Sequence, residues 1–115
     1  MGLAALDRGD TAQAIAHWSA AAQAGHGPAA YNLGVLYEQG SGVARNLEEA
    51  GRWYLAGAQA GDLDAHLAVA RLYESGQGLP RSVANARFWL QRVARLDDSN
   101  PAVGPLVRAA RERLD

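Results

Sequence analysis

Apolar residues recur along the chain at spacings of three and four, which is the pattern of amphipathic helices. The clearest stripe contains Ala29, Ala30, Leu33, Leu36 and Tyr37. Comparable stripes follow at residues 47–58, 65–75 and 83–94. Three further helices are predicted: a short one at Leu3–Arg8, one that ends near Gln23 and one at the C-terminus. Together with the four stripes they give an all-α fold of about seven helices.

Glycine and capping residues mark where these helices end and begin. Gly40-Ser41-Gly42 and Gly76-Gln77-Gly78 interrupt two stripes, and glycine readily adopts the left-handed conformation of a helix C-terminus. Either Asp62 or Asp64 is placed to cap a helix over Ala65–Ser75.

The two outer helices are predicted from similar signals. Asp10-Thr11 offers an N-cap for a helix that runs to about Gln23. Ser99-Asn100-Pro101 reads as a cap followed by a first-turn proline, which predicts a final helix over Pro101–Leu114. Arg108, Arg111 and neighbouring polar residues would give that helix the solvated face of a terminal lid.

The chain repeats itself every 36 residues, because residues 29–61 match residues 65–97 at ten of 33 positions. A period of this length is typical of a solenoid, in which each unit buries its apolar face against its neighbours. Tyr37 and Tyr73, with Trp53 and Trp89, are expected to fill the space between paired helices. The identical pairs are Ala29/Ala65, Leu36/Leu72, Tyr37/Tyr73, Glu38/Glu74, Gly40/Gly76, Gly42/Gly78, Arg45/Arg81, Ala50/Ala86, Trp53/Trp89 and Ala58/Ala94.

These motifs resemble the Sel1-like repeat, a longer-looped relative of the tetratricopeptide repeat. The resemblance rests on Leu33-Gly34, Tyr37, Gly40-Ser41-Gly42-Val43 and Ala50-Gly51-Arg52-Trp53-Tyr54. The second unit departs from the pattern at Ala70 and Leu90, where the family has Gly and Tyr. The resemblance covers roughly residues 2–97. It implies a right-handed α-solenoid of antiparallel helix pairs that serves as an adaptor for other proteins, with no catalytic residues and no cofactor.

We divide the chain accordingly into one repeat domain, residues 1–115. It comprises a partial repeat at 1–27, Sel1-like repeats at 28–63 and 64–99, and a C-terminal capping helix at 100–115.

Composition narrows the range of partners. Eleven arginines, with no lysine, face 12 acidic residues, so the net charge is −1. Binders of nucleic acid or anionic membranes generally carry an excess of base, so we expect neither partner. The C-terminal part, residues 81–115, holds seven arginines against four acidic residues and could dock an acidic protein, although half-solvated arginine on helices is the commoner explanation.

In a stack of this kind the first helix of each pair lines the concave side. Tyr31, Val35 and Glu38 share one helical face, and Leu67, Arg71 and Glu74 repeat that geometry one unit later. Asn32 and Ser75 flank the row. The predicted partner-binding residues are therefore Tyr31, Asn32, Val35, Glu38, Leu67, Arg71, Glu74 and Ser75, although Leu67 in particular could simply pack into a neighbouring helix.

Two other hypotheses stay open at this stage. The chain could be a structural fragment of a longer repeat scaffold, with self-association through an exposed N-terminal edge. Asp62, Asp64 and His66 could alternatively form a metal site in an enzyme accessory, although capping explains the two carboxylates. The apolar run after Met1 ends at Asp7 and has no basic flank, so we expect a cytoplasmic protein.

Overall fold

The computed structural model describes residues 8–115, with side chains from Asp10 onward, as α-helices joined by turns. Within that part of the chain there is no β-strand, so the predicted all-α class is confirmed. The expected short helix at Leu3–Arg8 lies outside the described residues except for Arg8, which belongs to the first described helix. The six helices are α1 (Arg8–Gln23), α2 (Gly27–Gln39), α3 (Leu47–Gln59), α4 (Leu63–Ser75), α5 (Val83–Ala94) and α6 (Gly104–Leu114).

The helices stack as the repeat predicts. Each one packs against the next along the chain, and in addition α2 contacts α4 and α4 contacts α6. We call α2 and α4 the A helices and α1, α3 and α5 the B helices. Because α6 packs on α5 and α4 as α4 packs on α3 and α2, it takes the position of a third A helix. The result is a solenoid of helix pairs.

Each A helix ends at a glycine in the left-handed conformation, as predicted. Gly40 has φ 69° and donates its N–H to the Leu36 carbonyl, and Gly76 has φ 73° and donates to Leu72. A residue with a Cβ is strained in this conformation. These two positions therefore fix the length of the A helices.

The loop after each glycine closes on the same hydrogen bonds in both repeats. Arg45 donates from Nε to the Glu38 carbonyl at 2.9 Å, and Arg81 donates to the Glu74 carbonyl at 3.3 Å. The side chains of Asn46 and Ser82 then cap α3 and α5. Each accepts a hydrogen bond from the backbone N–H three residues later, at Glu49 and Asn85. The loop arginine is thus a structural element of the repeat.

Two core clusters of the described helices lie between successive helices. One cluster centres on Tyr54, Val69 and Leu72 between α3 and α4. The other is built from α4, α5 and α6 around Leu90 and Val107. Such local burial is what a solenoid requires, because each unit is stabilised by its neighbours.

The departures of the second repeat from the first compensate each other in the core. A Cβ on Gly34 would lie 2.6 Å from Cε1 of Tyr54, so the Tyr54 ring covers the α2 backbone at a point where no side chain fits. In the second repeat the equivalent residues are Ala70 and Leu90, and both are buried. A larger residue on the A helix is thus matched by a smaller one on the B helix.

The tryptophans are less buried than predicted. Trp53 and Trp89 are only half-buried, while the neighbouring Tyr54 is 2% exposed. Trp89 packs at the edge of the first core cluster, and Trp53 borders a surface depression with Glu49 and Arg52. Tyr54 therefore holds the central position that the sequence assigned to the tryptophans.

Both outer helices begin elsewhere than predicted. Arg8 and Gly9 are already helical, so Asp10 lies within α1 and is not its N-cap. The last starts at Gly104 and not at Pro101, because the Asn100 side chain accepts the Ala102 N–H at 2.9 Å and its carbonyl accepts the Gly104 N–H at 2.7 Å. Residues 101–103 form a turn instead, and Pro105 is the first-turn proline.

Candidate functional site

The predicted binding residues lie on two adjacent A helices. Tyr31, Asn32, Val35 and Glu38 belong to α2, and Leu67, Arg71, Glu74 and Ser75 belong to α4. We call these eight residues the A-helix face. Since α2 and α4 contact each other directly, both rows belong to one side of the solenoid.

A bidentate ion pair joins the two rows at the centre of this face. Nη1 and Nη2 of Arg71 donate to the two carboxylate oxygens of Glu38 at 2.6 and 2.9 Å. The Tyr54 hydroxyl donates to the same carboxylate at 2.6 Å. The Glu38 side chain is 22% exposed, whereas that of Arg71 is 48% exposed. The carboxylate is therefore enclosed by donors, and the guanidinium keeps an open side.

The charges of this network are mutually stabilised. The Arg71 guanidinium, helped by the Tyr54 hydroxyl, holds the pKa of Glu38 below its ordinary value despite burial. Burial, together with donation to Glu38, raises the pKa of the Tyr54 phenol. Glu38 in turn raises the pKa of Arg71. All three groups thus hold fixed protonation states at neutral pH.

Two half-buried residues extend the face toward the start of α2. The Tyr31 ring lies 5.6 Å from the Tyr54 ring at an interplanar angle of 45°, and Val35 packs at the edge of the same core cluster. Burial and the nearby charges of Asp64 and Asp62 raise the pKa of Tyr31. Tyr31, Val35, Glu38 and Arg71 are thereby brought together around Tyr54, with Asn32 exposed beside them.

Of the remaining predicted residues, Leu67 and Glu74 contact α6. Leu67 is half-buried and packs against the second core cluster, as its packing interpretation predicted. Glu74 forms an ion pair with Arg113, which also donates to the Leu67 carbonyl at 3.4 Å. The exposed Ser75 donates to the Leu72 carbonyl at 3.3 Å at the end of α4.

Two residues that bind side chains of the A-helix face, Tyr54 and Arg113, were missed from the sequence. Tyr54 was assigned to packing only, and Arg113 only to the polar side of the lid. The repeat offered a signal for Tyr54, because its equivalent Leu90 has no hydroxyl and the first repeat therefore carries an extra polar group. For Arg113 no signal was available, since it does not stand at the repeat equivalent of Arg71.

Of the Asp62, Asp64 and His66 group, Asp62 and His66 have structural roles, and Asp64 lies in the first turn of α4. Asp62 caps α4 by accepting the Ala65 N–H at 2.9 Å. His66 is 2% exposed, its Nδ1 donates to the Asp62 carbonyl at 2.8 Å, and its ring meets the edge of Trp89 at 4.9 Å. In the part of the chain with described coordinates, no group of three or more His, Cys, Asp or Glu is arranged to hold a metal ion.

Most arginines of the C-terminal part bind within the chain. Arg111 donates to the carbonyls of Ala94 and Leu96 at 3.0 and 3.2 Å and to Asp98 at 3.0 Å, and so ties α6 to the end of α5. Cationic side chains are favourable at this position because the last carbonyls of a helix lack partners.

Among the described helices none has the length and apolarity needed to cross a bilayer.

Comparisons with known proteins agree with this architecture. The sequence model of the Sel1 repeat matches residues 1–26, 27–62 and 63–98. A crystal structure of a Sel1 repeat protein from Oxalobacter formigenes superimposes with a TM-score of 0.58 and 33% sequence identity. That alignment covers 61% of this chain and 29% of the other, so the chain spans less than a third of that protein. No curated protein shows significant similarity to the chain.

Sel1 repeats generally act as non-enzymatic scaffolds for protein interactions. The matched repeats cover most of the chain, and the 36-residue period, the glycine-ended A helices and the stacked core all follow from them. The chain belongs to the Sel1 repeat family.

Proposed function

We propose that this protein is an adaptor whose A-helix face binds a peptide or a short segment of a partner protein. One observation carries the proposal. The Arg71 guanidinium is fixed by two hydrogen bonds to Glu38 and yet leaves 48% of its side chain exposed.

A fixed arginine is a better ligand than a free one. Ordering a long side chain on binding costs conformational entropy, and in Arg71 that cost is already met in the unbound protein by Glu38 and, behind it, by Tyr54. The guanidinium has further N–H donors besides the two used on Glu38. These donors suit a backbone carbonyl or a carboxylate of the partner.

Apolar contact is supplied on either side of the arginine. Tyr31 and Val35 are half-buried on α2, and Leu67 is half-buried on α4. Aromatic and arginine residues are the types most enriched at the energetic centres of protein interfaces. The face therefore suits a segment with one or two apolar side chains and an acceptor between them.

The shape of the molecule favours a macromolecular partner over a small ligand. Two cavities among the described residues, of 490 and 520 Å³, lie away from this face. One is lined by Glu48, Arg52 and the loop from Gly76 to Pro80, and the other by residues of α1. Small-molecule sites are usually enclosed, whereas peptide-binding surfaces can be shallow.

The test is capture of partner proteins by Arg71→Glu, with Arg52→Glu as a matched control. Arg52 is also a surface arginine paired with a glutamate, but it lies on the B helix α3. We expect Arg71→Glu to fold normally by circular dichroism and to lose the partners that the wild type and Arg52→Glu both retain. Equal capture by all three proteins would contradict the proposal.

A further inference from the structure

The B helix α5 carries an exposed aromatic residue beside an arginine. Phe88 is 51% exposed, and its ring meets Trp89 edge-on at 5.1 Å. The Arg92 guanidinium carbon lies 5.7 Å from the Phe88 ring centroid and 5.5 Å from that of Trp89. The guanidinium is thereby held over two rings, an arrangement that stabilises it without neutralising its charge.

Arg92, in the last turn of α5, and Arg95, its C-cap, differ from the other arginines nearby. Within residues 8–115, neither Arg92 nor Arg95 forms an ion pair, and both are exposed. One helical turn separates them, and Leu96, which is 38% exposed, follows. The other arginines of the C-terminal part, each with a hydrogen bond inside the chain, are Arg81, Arg87, Arg108, Arg111 and Arg113.

The repeat itself does not require this combination. One period earlier, the positions of Phe88 and Arg92 are held by Arg52 and Ala56 on α3. Those of Arg95 and Leu96 are held there by a glutamine and an alanine. Of the residues in this combination, only Trp89 has an identical equivalent in the first repeat, Trp53. Packing of the solenoid therefore accounts for Trp89 and leaves the exposed residues unexplained.

We infer that Phe88, Arg92, Arg95 and Leu96, the α5 patch, form a second docking surface for an acidic segment of another protein. The segment would place carboxylates on the two arginines and an apolar side chain on Phe88. Charge complementarity supports this occupant, since residues 81–115 hold seven arginines against four acidic residues. A nucleic acid fits less well, because tight binding needs many phosphate contacts, the patch offers two unpaired cations and the whole chain has a net charge of −1.

The test begins with selection of a random phage-displayed peptide library on the immobilised wild-type protein. Enriched peptides are synthesised with a fluorescent label, and their binding is followed by anisotropy. We expect the enriched peptides that bind α5 to combine aspartate or glutamate with an aromatic or leucine side chain. Arg92→Glu should weaken their binding about tenfold or more, the size expected for one charge-assisted contact.

Three further variants make the result specific. Arg92→Lys keeps the charge but weakens the stacking, so its loss should be smaller than that of Arg92→Glu. Phe88→Ser removes the apolar anchor and should also weaken binding. Arg52→Glu, on the equivalent face of α3, should leave it unchanged, and thermal denaturation confirms that each variant is folded.

Several outcomes would overturn the inference. These are a library that yields no enriched peptide, enriched peptides without acidic residues, and binding that is insensitive to both Arg92→Glu and Phe88→Ser. A dimer that Arg92→Glu dissociates would identify a second copy as the occupant instead, and binding to anionic vesicles but to no peptide would identify a membrane. Peptide binding lost in Arg71→Glu alone would support the A-helix face and reject the α5 patch, so the two proposals fail separately.

Discussion

Glu38 holds the centre of the A-helix face together through its carboxylate. It accepts hydrogen bonds from Arg71 on the next A helix and from Tyr54 on the B helix of its own pair. One side chain therefore fixes the relation of three helices. Exposed ion pairs contribute little to stability, but this carboxylate is mostly enclosed and its third donor is a buried phenol, so its loss should be measurable.

Tyr54→Phe tests that role with a minimal change. It removes the hydroxyl that donates to Glu38 and keeps the ring that covers Gly34. We expect the free energy of unfolding to fall by about 1.5–3 kcal/mol, as for a hydrogen bond to a charged group. The pKa of Glu38 should also rise toward its ordinary value, because the Tyr54 hydroxyl lowers it.

Urea unfolding measures the first effect and carbon-detected NMR titration of the Glu38 carboxyl measures the second. Tyr37→Phe is the matched control, since Tyr37 is half-buried at the edge of the same core cluster. If the two variants were equally stable and the Glu38 titration were unchanged, the hydroxyl would have no part in the network.

His66 gives the protein a distinct pH dependence. Burial lowers its pKa below the ordinary value of 6.5, so the unfolded chain binds this proton more readily than the folded one. Stability is then complete above pH 6.5 and decreases as the pH falls from 6.5 toward the lowered value. Because the pKa of Glu38 is lowered from 4.5, the stability that this carboxylate contributes is lost only at more acidic pH than that of His66.

His66→Gln should therefore flatten the dependence of unfolding free energy on pH just below 6.5, even though it lowers stability at neutral pH. Chemical denaturation across pH 8 to 5 measures the slope, with exposed His17→Gln as the control. A wild-type slope that survives in His66→Gln would assign the titration to another group.

At the scale of helices, the two repeats fill the space between an A helix and its B helix with different pairs of residues. The first places Tyr54 over Gly34, and the second places Leu90 beside Ala70. Because protein cores are close-packed, each choice on the A helix restricts its counterpart on the B helix. The second repeat therefore shows which pair of residues can replace Gly34 and Tyr54 in the first.

A double-mutant cycle tests this coupling. Gly34→Ala should destabilise the protein by about 1–3 kcal/mol through overpacking against the Tyr54 ring, despite the better helix propensity of alanine. Gly34→Ala with Tyr54→Leu reproduces the second repeat and should recover part of that loss. Thermal and urea unfolding of the four proteins gives the coupling energy, and additive effects would show that the ring yields freely.

The helices themselves were largely predictable, whereas the ion pairs were not. Glycines such as Gly40 end helices by local conformation, which the sequence displays. Arg71 and Glu38 looked like two outward-facing charges, and their pairing depends on how closely successive A helices approach. The start of α6 was misplaced for a local reason, since Asn100 accepts a backbone N–H inside a turn and delays the helix to Gly104.

Across the whole molecule, each helix is stabilised mainly by packing against its neighbours, as in other solenoids. The final helix contributes to the second core cluster and is joined to the end of α5 by Arg111 and to α4 by Arg113. The arginines that the sequence left open as a basic docking site are thus mostly committed to this closure. Arg92 and Arg95 are the exception on which the α5 patch rests.

Arg111→Gln should loosen α6 without disturbing the first repeat. It removes bonds to Ala94, Leu96 and Asp98, so backbone amides of α6 and the end of α5 should exchange hydrogen faster while those of α2 and α3 keep their rates. Hydrogen exchange with mass spectrometry resolves these segments. Arg108→Gln, which loses one bond of 3.5 Å, is the control, and uniform acceleration along the chain would reject a local role.

Site-specific photo-crosslinking tests the central claim, that the A-helix face binds a partner, most directly. Benzoylphenylalanine replaces either Asn32, exposed on α2, or Gln13, exposed on the B helix α1, and each protein is irradiated in an extract of its own cell. We expect one reproducible adduct from position 32 that disappears when Arg71→Glu is added, and none from position 13. An adduct from position 13 alone, or one from position 32 that persists with Arg71→Glu, would contradict it.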